Sequence, residues 1–200
     1  MRIERTNQIS YKANFVNKSL VGKVIDNNCH GYINKYVPFV KIDPFNASDI
    51  DALKLASDYW MYDRFANNIY YAACALKNDS KFYKNHEIYA LTSQSSDFEK
   101  LEGEKILGLV HTAPFYDTPM FIEHLQVNPK QLSIYSPYPF KKEPLYKGIG
   151  TAIINSLKQL SDKISCFPAS EKSVKDFYIK NGFVKHPNIS NYYVWEKKEL

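Results

Sequence analysis

The sequence is poor in cysteine, carries no block of like charge and no internal repeat, and has no apolar run of membrane-spanning length. Each shortage excludes something. Cys29, Cys74 and Cys166 are odd in number and lack metal-ligand spacing, so reduced thiols are the simplest reading. The five histidines are scattered and suggest no metal constellation. The opening MRIERTNQIS has no apolar core of a signal peptide, so a soluble, metal-free, cytoplasmic protein is expected, with no membrane partner. The net charge of +5 is modest and Lys and Glu are interspersed. That balance suits a phosphorylated small molecule or an acidic surface, and no nucleic-acid partner is expected. What is there is a globular composition, 44% apolar with 16 Tyr and 12 Phe, in a length of 200 residues that fits one domain with a substantial core.

Residues 11–42 read as short strands and turns, with VNKSLVGKVID and GYINKYVPFVKI as a hairpin. A helix is expected over 48–77, N-capped by Ser48 or Asp49, with Ile50, Leu53, Leu55, Ala56, Tyr59 and Trp60 on its core face. HEIYALTSQ, KILGLVHTA and MFIEHLQV read as strands, and Gly103 marks the turn between the first two. A helix over 148–161, the short strand KISCF, a helix in SEKSVKDFYIKNGF from Ser170 to Gly182 and a last strand in NYYVWEKK complete the order. Antiparallel strands followed by strand–helix–strand–helix–strand imply an α+β fold with a mixed sheet. Lys130 to Leu145, with Pro137, Pro139 and Pro144 among Tyr135, Tyr138 and Phe140, is a long connection without a pattern. It reads equally as a lid or as a surface excursion.

YKGIGTAIINSL places Gly148 and Gly150 ahead of Ile149, Ala152, Ile153, Leu157 and Leu160 at helical spacing. A helix start carries unpaired N–H groups and the positive end of the macrodipole, and bare glycines let an anion approach them. A helix entry that binds nothing fits the same residues. The order of IEHLQVNP, KGIGTAII, a short strand and FYIKNGF resembles the GNAT superfamily of acetyl-CoA-dependent N-acetyltransferases, over about Glu102 to Trp195. The resemblance implies the GNAT acyl-CoA N-acyltransferase fold, with a central mixed, mostly antiparallel sheet flanked by helices. It implies one domain over 1–200, with 1–45 as an N-terminal extension, 46–200 as the core and 129–145 as an inserted loop.

The family's pyrophosphate loop, Gln/Arg-x-x-Gly-x-Gly/Ala, falls on Gly148, Ile149 and Gly150, while its Gln/Arg position falls on Leu145. Glu171 stands where many members have an early Asn in the late helix, and 21 positions separate Val127 from Gly148 where the family has a few. Acetyl-CoA is therefore the implied co-substrate. Lys147 and Thr151 are extra phosphate donors, the backbone of Leu125, Gln126 and Val127 pairs with the pantetheine amides, and an N–H at about Val127 polarises the carbonyl. Tyr178 matches the tyrosine that protonates the leaving thiolate, although Val174, Phe177 and Tyr178 also make an ordinary apolar helix face. Glu123 is the candidate base, on the same strand face as Leu125 and Val127 by alternation, with His124 on the other face as substitute and His111 structural.

The reading is acetyl transfer to a primary amine, on a small molecule or a peptide, by direct attack, with a homodimer left open. A GNAT module without turnover and an enzyme using another acyl-CoA donor are the alternatives. A dinucleotide-binding fold lacks its third glycine.

Overall fold

The computed structural model describes residues 14–26, 29–60, 64–78, 81–83, 85–131 and 145–198. The segment read equally as a lid or as a surface excursion falls almost wholly on 132–144, outside the described residues. Strand β1 (Asn14–Asp26) and β2 (Cys29–Lys41) form the expected hairpin, and each runs for 13 residues. Helices α1 (Ala47–Tyr59) and α2 (Arg64–Lys77) follow, then β3 (Glu87–Thr92), β4 (Ile106–Phe115) and β5 (Thr118–Val127). The chain continues through β6 (Tyr146–Lys147), α3 (Ile149–Leu157), β7 (Lys163–Cys166), α4 (Lys172–Lys180), β8 (Val184–Lys185) and β9 (Tyr193–Glu196). The strands form one sheet in the order β6-β1-β2-β3-β4-β5-β7-β9-β8, antiparallel except where β5 meets β7. The fold is α+β, with the sheet flanked by helices on both faces.

The expected single helix over 48–77 is two. Trp60 ends α1, and the N-cap is Asn46, whose Oδ1 accepts from the Ser48 N–H at 2.9 Å. Asp49 instead turns its carboxylate back to the Asp43 N–H at 3.0 Å. Leu53, Ala56 and Trp60 are buried as expected, whereas Leu55 and Tyr59 are 45% and 43% exposed. Tyr59 lies under the Lys130 ammonium, 3.1 Å from the ring centroid. Helix α4 is capped by Glu171, one residue after Ser170, with no side-chain cap bond, and ends before Gly182 at φ +82°.

Two apolar layers sandwich the sheet. One joins α1 and α2 to Val40, Ile88, Ala90 and Leu109; the other joins α3 and α4 to Phe39, Tyr89, Leu91, Val110 and Ile122. The segment read as an N-terminal extension supplies two strands of this sheet, with Val21, Val37 and Phe39 in the core. Ser19 Oγ donates to the Ala152 carbonyl of α3 at 3.2 Å, and Ser156 Oγ to Asn17 Oδ1 at 2.9 Å. The hairpin thus anchors the helix whose first turn forms part of the site described below.

Gly108 on β4 lies under that helix. A Cβ there would stand 2.7 Å from Ile153 Cδ1 and 3.0 Å from Ile149 Cγ2. Gly108→Ala should lower stability by about 1–3 kcal/mol in urea unfolding, because a well-packed core resists an added methyl. A variant as stable as the parent would show that α3 is free to shift on the sheet.

Candidate functional site

Strands β5 and β7 run together only briefly. Met120, Phe121 and Ile122 pair with Ile164, Ser165 and Cys166, and no pairing continues beyond Ile122. The far half of β5 therefore keeps β4 on one side and, among the described residues, has a free edge on the other. Asn128 N donates to the Leu107 carbonyl at 2.9 Å, toward β4. In a trans peptide N–H and C=O point opposite ways, and strand residues alternate in direction. The N–H and C=O of Val127 and Leu125 accordingly face away from β4, into the gap. The Gln126 side chain covers one of these groups, donating from Nε2 to the Val127 carbonyl at 2.9 Å.

A cavity of ≈ 560 Å³ opens along this edge. Its walls are the Leu125–Val127 strand, the Lys147–Thr151 turn into α3, and Val174, Phe177 and Tyr178 of α4. The structure thus brings together all eight residues expected to hold the coenzyme, with Tyr178 opposite them. Gly148, at φ +76°, is the N-cap of α3, where a side chain would be strained. Among the described residues no side chain caps the helix, and no acidic residue lies in its first turn, so the N–H groups of Ile149, Gly150 and Thr151 have no helical partner. Gly150 has a packing reason for its bareness: a Cβ would stand 3.1 Å from the Phe177 ring. Leu145, at the departure from the family loop, is 46% exposed.

Tyr178 is 7% exposed and packs edge-on against Phe177 and Phe183, at 5.1 and 5.3 Å between centroids. Burial, reinforced by neighbouring Cys166, pushes its hydroxyl above the ordinary phenol range. The group is a protonated phenol throughout the neutral range, at the wall of the cavity.

Glu123 is not on the face of Leu125 and Val127. The β4–β5 register passes from Thr112↔Ile122 to His111↔His124, so Glu123 is the extra residue of a bulge and the alternation restarts there. It lines a second pocket, of ≈ 600 Å³, on the α2 face with Asn68, Tyr71, Tyr83, His86, His111 and His124. Burial raises the Glu123 carboxyl above its ordinary value. Three of the histidines that looked scattered meet here. His86 Nδ1 and His111 Nε2 are 2.9 Å apart, His111 Nδ1 and His124 Nδ1 are 3.5 Å apart, and Asn68 Nδ2 lies 3.3 Å from His124 Nε2. The His111 and His124 rings are 7° from parallel and meet edge to edge, with centroids 5.8 Å apart, and Phe65 flanks His124 at 5.5 Å. His86 and His124 engage opposite nitrogens of His111, so the three do not converge on one point. Among the described residues no group has metal-binding geometry.

No family model matches the chain, and no curated relative matches it. Solved structures do. Campylobacter jejuni N-acetyltransferase PseH is similar at TM-score 0.46 and 12% identity, covering 81% of this chain and 99% of that one. A Staphylococcus aureus Mu50 acetyltransferase of the GNAT family has TM-score 0.44 and 13% identity over the same shares. A Bacillus anthracis protein described as a streptothricin acetyltransferase, solved with acetyl coenzyme A, has TM-score 0.33 and 16% identity, over 93% of this chain and 89% of that one. At such scores the likeness carries no weight for function, which rests on the two pockets.

Burial, with His86 and His124 beside it, pushes His111 from 6.5 down to about 3. The unfolded chain therefore takes up a proton at pH values where the folded one does not. His111's contribution is complete above pH 6.5 and is lost as pH falls toward 3, at up to about 1.4 kcal/mol per pH unit. Glu123 acts in the opposite sense, and comparison with His111→Asn cancels its part. The variant should lose less stability than the parent between pH 6.5 and 4.5 in urea unfolding; equal slopes would contradict a neutral buried His111.

Proposed function

We propose that the chain is a GNAT-type N-acetyltransferase that moves the acetyl group of acetyl-CoA to a primary amine by direct attack. The observation that carries this is the free edge of β5 between two pockets on opposite faces of the sheet. One pocket has an uncapped helix start suited to a pyrophosphate, and the other is lined by a carboxylate and imidazoles suited to an amine. An extended amide chain along Leu125–Val127 would take up the unpaired N–H and C=O groups as an added strand does, displacing the Gln126 side chain. Bound there, the coenzyme supplies the acyl group as a thioester. The N–H of Val127 faces the gap and is placed to meet charge developing on a carbonyl oxygen. The first turn of α3, with Lys147 and Thr151 beside it, takes the phosphates.

Tyr178 holds the proton for the departing sulfur. Its raised pKa keeps that proton in place until a thiolate calls for it. On the other face, Glu123 is the acceptor-side carboxylate. Burial raises its pKa, and when ionised it draws an incoming ammonium into the pocket.

Thiol release from acetyl-CoA across a panel of primary amines tests the reaction. Tyr178→Phe keeps the ring between Phe177 and Phe183, so melting temperature and CoA affinity should match the parent while kcat falls about 10²–10⁴-fold. Normal turnover by the Phe variant would remove Tyr178 from the chemistry. An alkaline limb from Tyr178 should also be absent from the kcat profile below about pH 10, since its pKa is displaced upward from the ordinary phenol value.

A further inference from the structure

The second pocket contains more than a carboxylate. His111 is 3% exposed, and both of its ring nitrogens face other imidazoles. A ring so placed stays neutral, because burial and two neighbouring histidines all oppose a charge on it. A neutral imidazole donates from one nitrogen and accepts at the other. The tautomers of the three rings are therefore locked to one another along the chain His86–His111–His124.

Two arrangements satisfy the geometry. In the first, Asn68 Nδ2 donates to His124 Nε2, His124 Nδ1–H donates to His111 Nδ1, and His111 Nε2–H donates to His86 Nδ1. In the reverse arrangement His86 Nδ1–H is the donor, and His124 carries its proton on Nε2. Only the first leaves a lone pair at His124 Nε2, the nitrogen on the Asn68 side of the pocket.

We propose that His124 Nε2 takes the proton of the acceptor amine, and that His111, held by His86, is a positioning residue that fixes His124 in the Nδ1–H tautomer. This rests on the acetyl-transfer reading. An incoming amine replaces Asn68 at Nε2. As its nitrogen bonds to the acyl carbon and the carbon–sulfur bond breaks, its proton passes to Nε2 and the proton of Tyr178 goes to sulfur. The imidazolium so formed shares its Nδ1–H with the lone pair of His111. Proton exchange with solvent then returns His124 to neutrality and the proton to Tyr178, so the cycle balances.

The same chain makes the base sensitive to the far ring. His86, at the other end, is half-buried, and Tyr83 lies edge-on to it at 5.0 Å. A proton on His86 turns its Nδ1 into a donor, reverses the hydrogen bonds through His111 and removes the lone pair from His124 Nε2. The groups that face the triad are Glu123 on β5, Asn68 and Tyr71 on α2, and Tyr83 ahead of β3; among the described lining residues Glu123 is the one that carries a charge.

The test is ¹⁵N NMR of the imidazoles in the ligand-free protein, beside turnover of acetyl-CoA with tyramine as the probe amine. His124 should be Nδ1–H at neutral pH, the minority form of free histidine, and should switch to Nε2–H with the same midpoint at which His86 takes up its proton. His111→Leu should abolish that coupling and lower kcat at least tenfold, with CoA affinity unchanged. His111→Asn, which keeps a polar group near the place of Nδ1, should restore most of the rate. His124→Gln should remove the acid limb of kcat/KM. A His124 found as Nε2–H in the neutral protein overturns the proposal, as does an acid limb untouched by His111→Leu. If the leucine variant does not fold, the tautomer of the parent protein and the asparagine variant decide alone. Absence of turnover in the parent with every amine would instead count against acetyl transfer, since the tautomer measurement needs no substrate.

Discussion

The parting of β5 from β7 after Ile122 is the constraint on which the rest of the site depends. Two strands that begin as a parallel pair and then diverge leave backbone donors and acceptors without strand partners among the described residues, an arrangement that sheets ordinarily avoid. Here the gap is held open from both sides. The 3.1 Å approach that a Cβ on Gly150 would make to the Phe177 ring shows how closely α3 and α4 meet across it. The hairpin fixes α3 from beneath through Ser19 and Asn17. The polar edge is thus stored between rigid elements, and among the described residues Gln126 turns back to satisfy part of it. A ligand that presents an extended amide chain supplies what the fold withholds.

The bulge at Glu123 is the second constraint. With one residue fewer in β5, the register would set Glu123 opposite His111 and carry His124 away from it. The extra residue sets His111 opposite His124 across the ladder and turns Glu123 toward α2. The same strand then serves two faces: Leu125 and Val127 line one pocket, while Glu123 and His124 line the other. The two pockets share a strand and are not separate features of the surface.

This division explains what the sequence could and could not reveal. Gly148, Gly150 and Tyr178 were legible because a helix start and a helix face are local, with spacings of two to four residues. The Leu125–Val127 edge was legible through the order of the elements. The strand face of Glu123 was not, since alternation assumes an unbroken ladder and nothing local in MFIEHLQV announces a bulge. The histidine chain depends on that same bulge and on the position of His86, 25 residues before His111. Counting residues back from the turn at Tyr116 would pair His111 with His124 only after two insertions in β5, and hairpin patterns alone do not specify these. The break between α1 and α2 escaped for a different reason: apolar residues continue at helical spacing through Trp60, where the helix nonetheless ends.

The central claim is that the free edge of β5 and the first turn of α3 together hold the coenzyme. Backbone amide hydrogen exchange with and without CoA tests it most directly, because the claim concerns N–H groups and no side chain. CoA should slow exchange at Leu125, Val127, Ile149, Gly150 and Thr151, and should leave the strand edge at β8 and β9 unchanged. Protection absent from those five amides while CoA is bound, or appearing along β8 and β9 instead, would contradict the account.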